Sequence, residues 1–247
     1  MILPKSKATL VRALHRRKGR REHGAFLVEG DRALAEIAVS DADVRFAFAR
    51  GERIDEIQSL LPAATIYLLE KHSDALFATD NPQGVGAVVS MPRLPPLQEL
   101  ISRDGAILVL DGVSDPGNVG TILRSAEWFG LAGVALLNEC ADPFNPKCVR
   151  ASMGAVVRVA IAETTVDELL SVELPLYALD GSARISLSDS PIARRALYVV
   201  GSEAHGVSTE IAQRATGIAI RGHGAIESLN AAVAASILCY ELTRVDE

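Results

Sequence analysis

The chain has 247 residues, of which 49% are hydrophobic and 23% charged, a composition that suits one large globular domain or two modest ones and leaves little room for extended disorder. No apolar run reaches the roughly eighteen residues of a membrane span, and the start Met1-Ile-Leu-Pro-Lys-Ser-Lys7 lacks the apolar core of a secretory signal, so a cytoplasmic protein with no membrane partner is expected. A net charge of −6 disfavours a polyanion as partner for the molecule as a whole, and Cys140, Cys148 and Cys239, without a Cys-x-x-Cys pair or a nearby His cluster, argue against a disulfide frame or a metal site.

Charge is distributed unevenly. Lys5, Lys7, Arg12, Arg16, Arg17, Lys18, Arg20 and Arg21 crowd the first two dozen residues, with Glu22 the lone acid among them. Leu10, Val11 and Leu14 keep helical spacing between Lys5 and Lys18, which puts the cations on a helix and its exit loop. A solvated helix end would account for such a run. The concentration at one terminus points instead to RNA, with Lys7, Arg12, Arg16, Arg17, Lys18, Arg20 and Arg21 as phosphate ligands.

Phe26 to Gly30 reads as a strand ended by glycine, followed by a helix that carries Leu34 and Ile37. Val44 to Ala49 and Thr65 to Leu69 are two further strands, separated by a helix with Ile54, Ile57, Leu60 and Leu61 that Pro62 stops; Val85 to Ser90 closes the set. Met91-Pro-Arg-Leu-Pro-Pro96 can continue neither a helix nor a central strand and marks a boundary, giving domains over 1–92 and 97–247.

Beyond the prolines, Ile107–Leu110, Gly133–Leu137, Arg158–Ile161, Leu176–Leu179, Leu197–Gly201 and Gly217–Ile220 are compact β-type runs spaced by helical segments. Near-continuous apolar strands imply burial on both faces and hence a mostly parallel α/β sheet. Between the first of these strands and a helix beginning near Asn118 lie Gly112, Pro116 and Gly117, a turn at a strand's carboxyl end, where such sheets bind ligands. Val119, Ile122, Leu123, Ala126 and Phe129 form that helix's apolar stripe, and Arg124 points away from it. Asn118 and Thr121 stand near the amino end, where free N–H groups favour phosphate.

Gly201-Ser-Glu-Ala-His-Gly206 follows a buried strand directly, and its glycines permit close main-chain approach to a ligand. His205 and His223 lack ligand spacing and fit structural or solvent-facing roles. In the last helix Leu229, Val233, Ile237 and Tyr240 mark one face, and Ala231, Ala235, Leu238 and Leu242 another, so two partners must cover it, the sheet and the same helix of a second subunit. Ser228 suits its N-cap. Nucleotide-binding P-loop, nucleophile-elbow, zinc-protease and dinucleotide fingerprints are absent.

Asn118 with Arg124 six residues on, then Gly201-x-Glu-x-x-Gly206, then Ser228-Leu-Asn230, in that order over Asp111 to Leu242, resembles the three motifs of the SpoU (TrmH-like) RNA ribose methyltransferases of the SPOUT superfamily. Asn145 to Ala155 also looks like this family's, and the first ninety or so residues, with Gly24-x-Phe-Leu-Val-Glu-Gly30, are similar to the ribosomal-protein-like α/β substrate domain found on many members. The resemblance implies a C-terminal SPOUT α/β domain with a deep trefoil knot, a homodimer paired through that domain, and methyl transfer from S-adenosylmethionine to a ribose 2′-hydroxyl without a metal. Its favoured substrate is 23S ribosomal RNA rather than transfer RNA; a catalytically silent RNA-binding or ribosome-assembly protein of the same fold is the alternative. By position, Asn118, Arg124, Glu203, Ser228 and Asn230 match the reaction site, and Gly201, Ile220 and Leu229 the loops whose main chain holds the donor. Ile220-Arg-Gly-His-Gly224 departs from the family's usual Ile-Pro-Met-x-Gly.

Overall fold

The computed structural model describes residues 1–70, 73–188, 193–226 and 228–244. Two compact units emerge, one comprising Met1–Arg93 with Asp142–Arg158, the other Leu94–Ala141 with Val159–Glu247.

The first unit opens with α1 (Lys5–Leu14) and α2 (Arg17–His23), then β1 (Ala25–Glu29), α3 (Asp31–Ala38), β2 (Val44–Ala49), α4 (Ile54–Leu60), β3 (Ile66–Leu68) and β4 (Val85–Ser90). Its four strands run in the order β1-β4-β2-β3, with β4 antiparallel to both β1 and β2, and β3 parallel to β2. Val11 and Leu14 of α1 bury against Leu27, Phe46, Phe48 and Phe77. The stretch expected as one helix and its exit loop is thus two helices, broken after Leu14. Gly19 lets the second lie against the end of the first, since a Cβ there would fall 2.0 Å from the carbonyl oxygen of Ala13.

This break redistributes the cations. Arg12, Arg16, Arg17, Lys18 and Arg21 are exposed, whereas Arg20 is 2% exposed. Its Nε and Nη2 donate to Asp142 Oδ2 at 3.0 and 2.6 Å, and its Nη1 to the carbonyl of Leu14 at 2.9 Å. The assignment of Arg20 to RNA is therefore corrected: its guanidinium is consumed inside the protein. Lys7 is half-buried, its Nζ 4.2 Å from the centre of the Phe46 ring, where the aromatic face attracts the cation.

The second unit carries α5 (Leu97–Ile101), β5 (Ile107–Asp111), α6 (Pro116–Trp128) and β6 (Gly133–Leu137). After α7 (Pro146–Ser152), it resumes with β7 (Ile161–Glu163), α8 (Val166–Leu170), β8 (Leu176–Leu179), β9 (Ile185–Ser186), β10 (Leu197–Gly201), α9 (Thr209–Ala212), β11 (Thr216–Ala219) and α10 (Ala231–Thr243). Seven strands pair in the order β7-β6-β5-β10-β8-β11-β9, each described pairing parallel. Ile107, Val109, Ala135, Leu137, Leu197 and Val199 form a core on one side with Leu97, Leu100, Leu169 and Ile211. The alternate residues Leu108, Leu110, Val134 and Tyr198 are buried as well, as a sheet covered on both faces requires. The two-residue β9 carries too little pattern to be read from sequence.

The stretch Asp142–Arg158 follows β6 in the chain yet belongs with the first unit, a departure from the contiguous 97–247 division. Ion pairs explain why. Besides Arg20–Asp142, Arg150 Nη1 donates to Glu29 Oε2 at 2.9 Å and Arg158 Nη1 to Glu36 Oε2 at 2.7 Å, while Phe144 packs on Phe26 with ring centres 5.1 Å apart. With Arg158 drawn to Glu36, the strand expected from Arg158 begins later, at Ile161. Glu29 is 5% exposed; burial raises its carboxyl's pKa above the ordinary value, against the opposing pull of the Ala78 N–H and Arg150.

Breaking a buried ion pair strands the remaining charge at a cost of about 3 kcal/mol or more. Asp142→Ala is accordingly expected to lower the unfolding free energy by about that amount in urea titration, whereas Lys18→Ala on the exposed face changes it by less than about 0.5 kcal/mol.

Candidate active site at the carboxyl edge of the parallel sheet

From β5 the chain moves to β6 on one side, and β10 returns on the other side of β5, so strand order reverses between β5 and β10. Loops leaving these two strands diverge at such a point and open a crevice at the carboxyl edge. Residues of all three sequence motifs gather there.

The exit of β5 enters α6, whose N-cap Asp115 accepts the Asn118 N–H at 3.0 Å, with Pro116 in the first turn. The exit of β10 is a tight loop: Gly206 N–H donates to the Ser202 carbonyl at 2.9 Å, and a Cβ on Gly201 would lie 2.1 Å from the carbonyl carbon of Gly206, so only glycine allows this closure. Its tip presents Glu203. There Oε1 accepts from Asn118 Nδ2 at 2.5 Å, from Asn230 Nδ2 at 3.4 Å and from the Ala231 N–H at 3.3 Å, and Asn230 Nδ2 also donates to Asn118 Oδ1 at 3.1 Å. Asn230 Oδ1 in turn accepts the N–H groups of Ala232 and Val233 at 2.9 and 3.2 Å, making Asn230 the N-cap of α10. The Glu203 carboxylate therefore meets the positive end of that helix, a favourable placement.

Asn118, Glu203 and Asn230 are thus one hydrogen-bonded cluster. Arg124 lies farther along α6, exposed, and takes no part in those bonds. Gly201 ends β10; Ile220 is half-buried just past β11; Ser228 and Leu229 are exposed immediately before Asn230. Two expectations are corrected. The N-cap of the last helix is Asn230 rather than Ser228, both being cap-competent types two positions apart. The amino end of α6, expected as an open seat for phosphate, is already met by the Asp115 carboxylate, and the Thr121 hydroxyl donates to the Gly117 carbonyl at 2.9 Å. Arg221, where the glycine-rich stretch departs from the family pattern, donates to the Arg184 carbonyl at 2.6 Å, fixing the start of an exposed loop over 221–226.

Sequence reasoning assigned no role to Asp111, the last residue of β5, which is 4% exposed beneath this cluster. Its signal is a carboxylate closing an otherwise apolar buried strand. Nor did it assign one to Asn138 or Ser208, both of which hydrogen-bond to Asp111. Of the cysteines, Cys148 and Cys239 are buried, and burial pushes the Cys239 thiol up to about 12, leaving it protonated near neutrality.

α6 and α10 pack on each other through Ser125 and Ser236, whose hydroxyls are 2.7 Å apart, and through an edge-on contact of Phe129 with Tyr240. Ala231, Ala235, Leu238 and Leu242 are buried, while Val233 is 47% and Tyr240 53% exposed. A groove of about 470 Å³ runs from Asn118 and Asn230 past Thr121, Phe129, Val233 and Tyr240.

Comparison with known proteins gives this arrangement relatives. Residues 105–240 match the model of the SpoU rRNA Methylase family, and residues 6–87 that of the MRM3-like substrate binding domain. The chain is 30% identical to the 23S rRNA (guanosine(2553)-2′-O)-methyltransferase RlmP of Bacillus subtilis over 93% of its own length and 92% of that protein's. The structure of the SpoU methyltransferase AviRb from Streptomyces viridochromogenes in complex with the cofactor AdoMet superposes with a TM-score of 0.85 at 25% identity, covering 97% of each chain. An AdoMet-bound rRNA methyltransferase from Sinorhizobium meliloti gives 0.83 at 25% identity, covering 96% of this chain and 94% of that one. With more than half of its length matched by the family model and the motif residues converging at the sheet's switch point, the chain belongs to the SpoU rRNA methylase family.

Proposed function

We propose that the chain transfers a methyl group from S-adenosylmethionine to a ribose 2′-hydroxyl of ribosomal RNA in the cytoplasm, with the 23S species as substrate. The observation that carries this reading is the Asn118–Glu203–Asn230 cluster, built from three distant motifs at the switch point of a parallel sheet. The relative from Bacillus subtilis supports the RNA and the atom modified, and the two AdoMet-bound structures support the donor.

The edge fits that donor. Its elongated, largely uncharged adenosyl portion calls for main-chain partners and apolar surface, and the exits of β10 and β11 supply both: Gly201, Ile220 and the exposed stretch 221–226, with Ile226 79% and Leu229 38% exposed. When bound, S-adenosylmethionine supplies an electrophilic methyl carbon on a sulfonium. With the donor held there, transfer would be an in-line displacement in which the ribose 2′-oxygen takes the methyl group as the carbon–sulfur bond breaks, leaving the neutral thioether S-adenosylhomocysteine and releasing the hydroxyl proton to solvent. The protein's part is alignment. Glu203 fixes both side-chain amides, so that Asn118 and Asn230 present donors and acceptors of set direction, and Ser228 lies beside them. An arginine stays protonated, so Arg124 acts by polarising the ribose oxygen and gripping the adjacent phosphate bidentately. The C-terminal segment bearing α10 is read as threaded into the family's trefoil knot, a reading supported by the match of residues 105–240 to the SpoU family model.

RNA is recruited by Arg12, Arg16, Arg17, Lys18 and Arg21 of the first unit, with Lys7 partly engaged by Phe46; the match of residues 6–87 to a substrate-binding domain supports this. Two copies pair through α6 and α10. The half-exposed Val233 and Tyr240 beside a groove reaching the catalytic cluster are otherwise unexplained apolar surface.

Four measurements test the reading. Incubation with labelled donor and deproteinised RNA, followed by mapping of ribose methylation, should locate label on a 2′-oxygen of 23S RNA; label on transfer RNA alone, on a base, or on no RNA overturns it. In the same assay Arg124→Lys should lower kcat by roughly a hundredfold at saturating RNA, given the loss of bidentate geometry, and near-full turnover would remove the role given to Arg124. Replacing Arg12, Arg16 and Lys18 together by Ala should reduce the slope of log affinity for RNA against log salt by about 2 while leaving donor binding in place. Light scattering should give twice the 26.2 kDa chain mass for the native protein and a single chain for V233E/Y240E; an active native monomer would remove the dimer.

A further inference from the structure

A buried carboxylate is costly unless its oxygens are hydrogen-bonded. Asp111 is 4% exposed, and both oxygens are engaged: Oδ1 accepts from Asn138 Nδ2 at 2.7 Å, and Oδ2 accepts the Ser208 N–H at 2.7 Å. In register Asp111 stands opposite Gly201 of β10 on one side and Leu137 of β6 on the other. One side chain therefore ties together the exits of three adjacent strands.

Each exit is constrained in its own way. Beyond β6, Asn138 and Glu139 both hold positive φ, 50° and 55°, a conformation that asparagine takes readily and glutamate seldom. Bonds from the Gly112 N–H to the Leu137 carbonyl at 3.0 Å and from the Ala141 N–H to the Val113 carbonyl at 2.9 Å stitch this turn to the β5 exit. The β10 exit starts at Gly201, held by the sheet, and its far end at Ser208 is held by Asp111. Between those two anchors stands Glu203. The loop tip is closed on itself by the bond from the Gly206 N–H to the Ser202 carbonyl, so the hold at Ser208 sets where that closed tip, and Glu203 on it, stands against Asn118.

We propose that Asp111 is a positioning residue for methyl transfer: by holding Ser208 it sets Glu203 against Asn118 and Asn230, and so sets the alignment of the ribose hydroxyl. This inference rests on the functional reading above. It differs from a merely structural carboxylate because it assigns the loss to turnover and predicts rescue by reversed polarity. In D111N/N138D an amide and a carboxylate still face each other with donor and acceptor exchanged, and an amide oxygen remains for the Ser208 N–H.

The test compares native protein, D111A, N138D and D111N/N138D. For D111A, kcat should fall roughly a hundredfold, as expected for a sub-ångström to ångström misplacement, while the Kd for S-adenosylmethionine moves by less than about tenfold. Hydrogen exchange at the Ser208 amide should accelerate. N138D, which sets two carboxylates face to face, should lose turnover, and D111N/N138D should recover most of it. A folded D111A with kcat within about twofold of native, or a double variant no better than N138D, overturns the proposal. Should D111A fail to fold, the comparison of N138D with D111N/N138D decides alone. If native protein methylates no RNA, the functional reading falls separately, and Ser208 exchange in D111A against native protein still decides whether the clasp exists.

Discussion

The second unit depends on a parallel sheet whose central strands β5, β6 and β10 are apolar and buried on both faces. Parallel connection sends all strand exits to one edge, and the reversal of order between β5 and β10 leaves a gap there. The polar residues of the motifs have no place inside such a sheet. They collect at the edge, and the Glu203 cluster is where the main-chain geometry of two strand exits and one helix start converges.

The sheet's edge also explains how an acidic protein handles RNA. At its centre the site holds carboxylates, Asp111 and Glu203, each accepting hydrogen bonds from amides and main-chain N–H groups. Under the proposed function, cationic work falls to Arg124 on α6 and to the exposed basic residues of the first unit. Burial of Arg20 shows that not every cation in a basic run is available, because its guanidinium makes three hydrogen bonds to two acceptors inside the protein, Asp142 Oδ2 and the Leu14 carbonyl.

Much of this was legible in the residues alone. Val44–Ala49, Leu176–Leu179 and Leu197–Gly201 form strands with the bounds expected of them, since compact apolar runs bounded by turn formers leave few alternatives. The motif residues Asn118, Glu203 and Asn230 could be named together because their spacing resembles a family's, although nothing local to any one of them indicates that they meet. What stayed hidden was long-range and polar. The partner of Arg20 is 122 positions away, and the capping choice between Ser228 and Asn230 turned on where Glu203 lies. Asp111 was visible, but its role depends on a main-chain N–H at Ser208 and on a turn at Asn138, neither of which side-chain pattern encodes.

The placement of Asp142–Arg158 has a bearing on how the molecule could have been assembled and how it could be taken apart. Because this stretch leaves the second unit after β6, joins the first, and returns at β7, the backbone passes between the two units three times rather than once. A single cut in the proline-rich linker would release neither half, and the N-terminal piece made alone would lack Asp142, Arg150 and Arg158, the counter-ions of Arg20, Glu29 and Glu36. Grafting the first unit onto another catalytic domain therefore requires carrying an internal segment along with it, so recombination at the visible boundary would yield a recognition module with two buried charges exposed to the wrong surroundings.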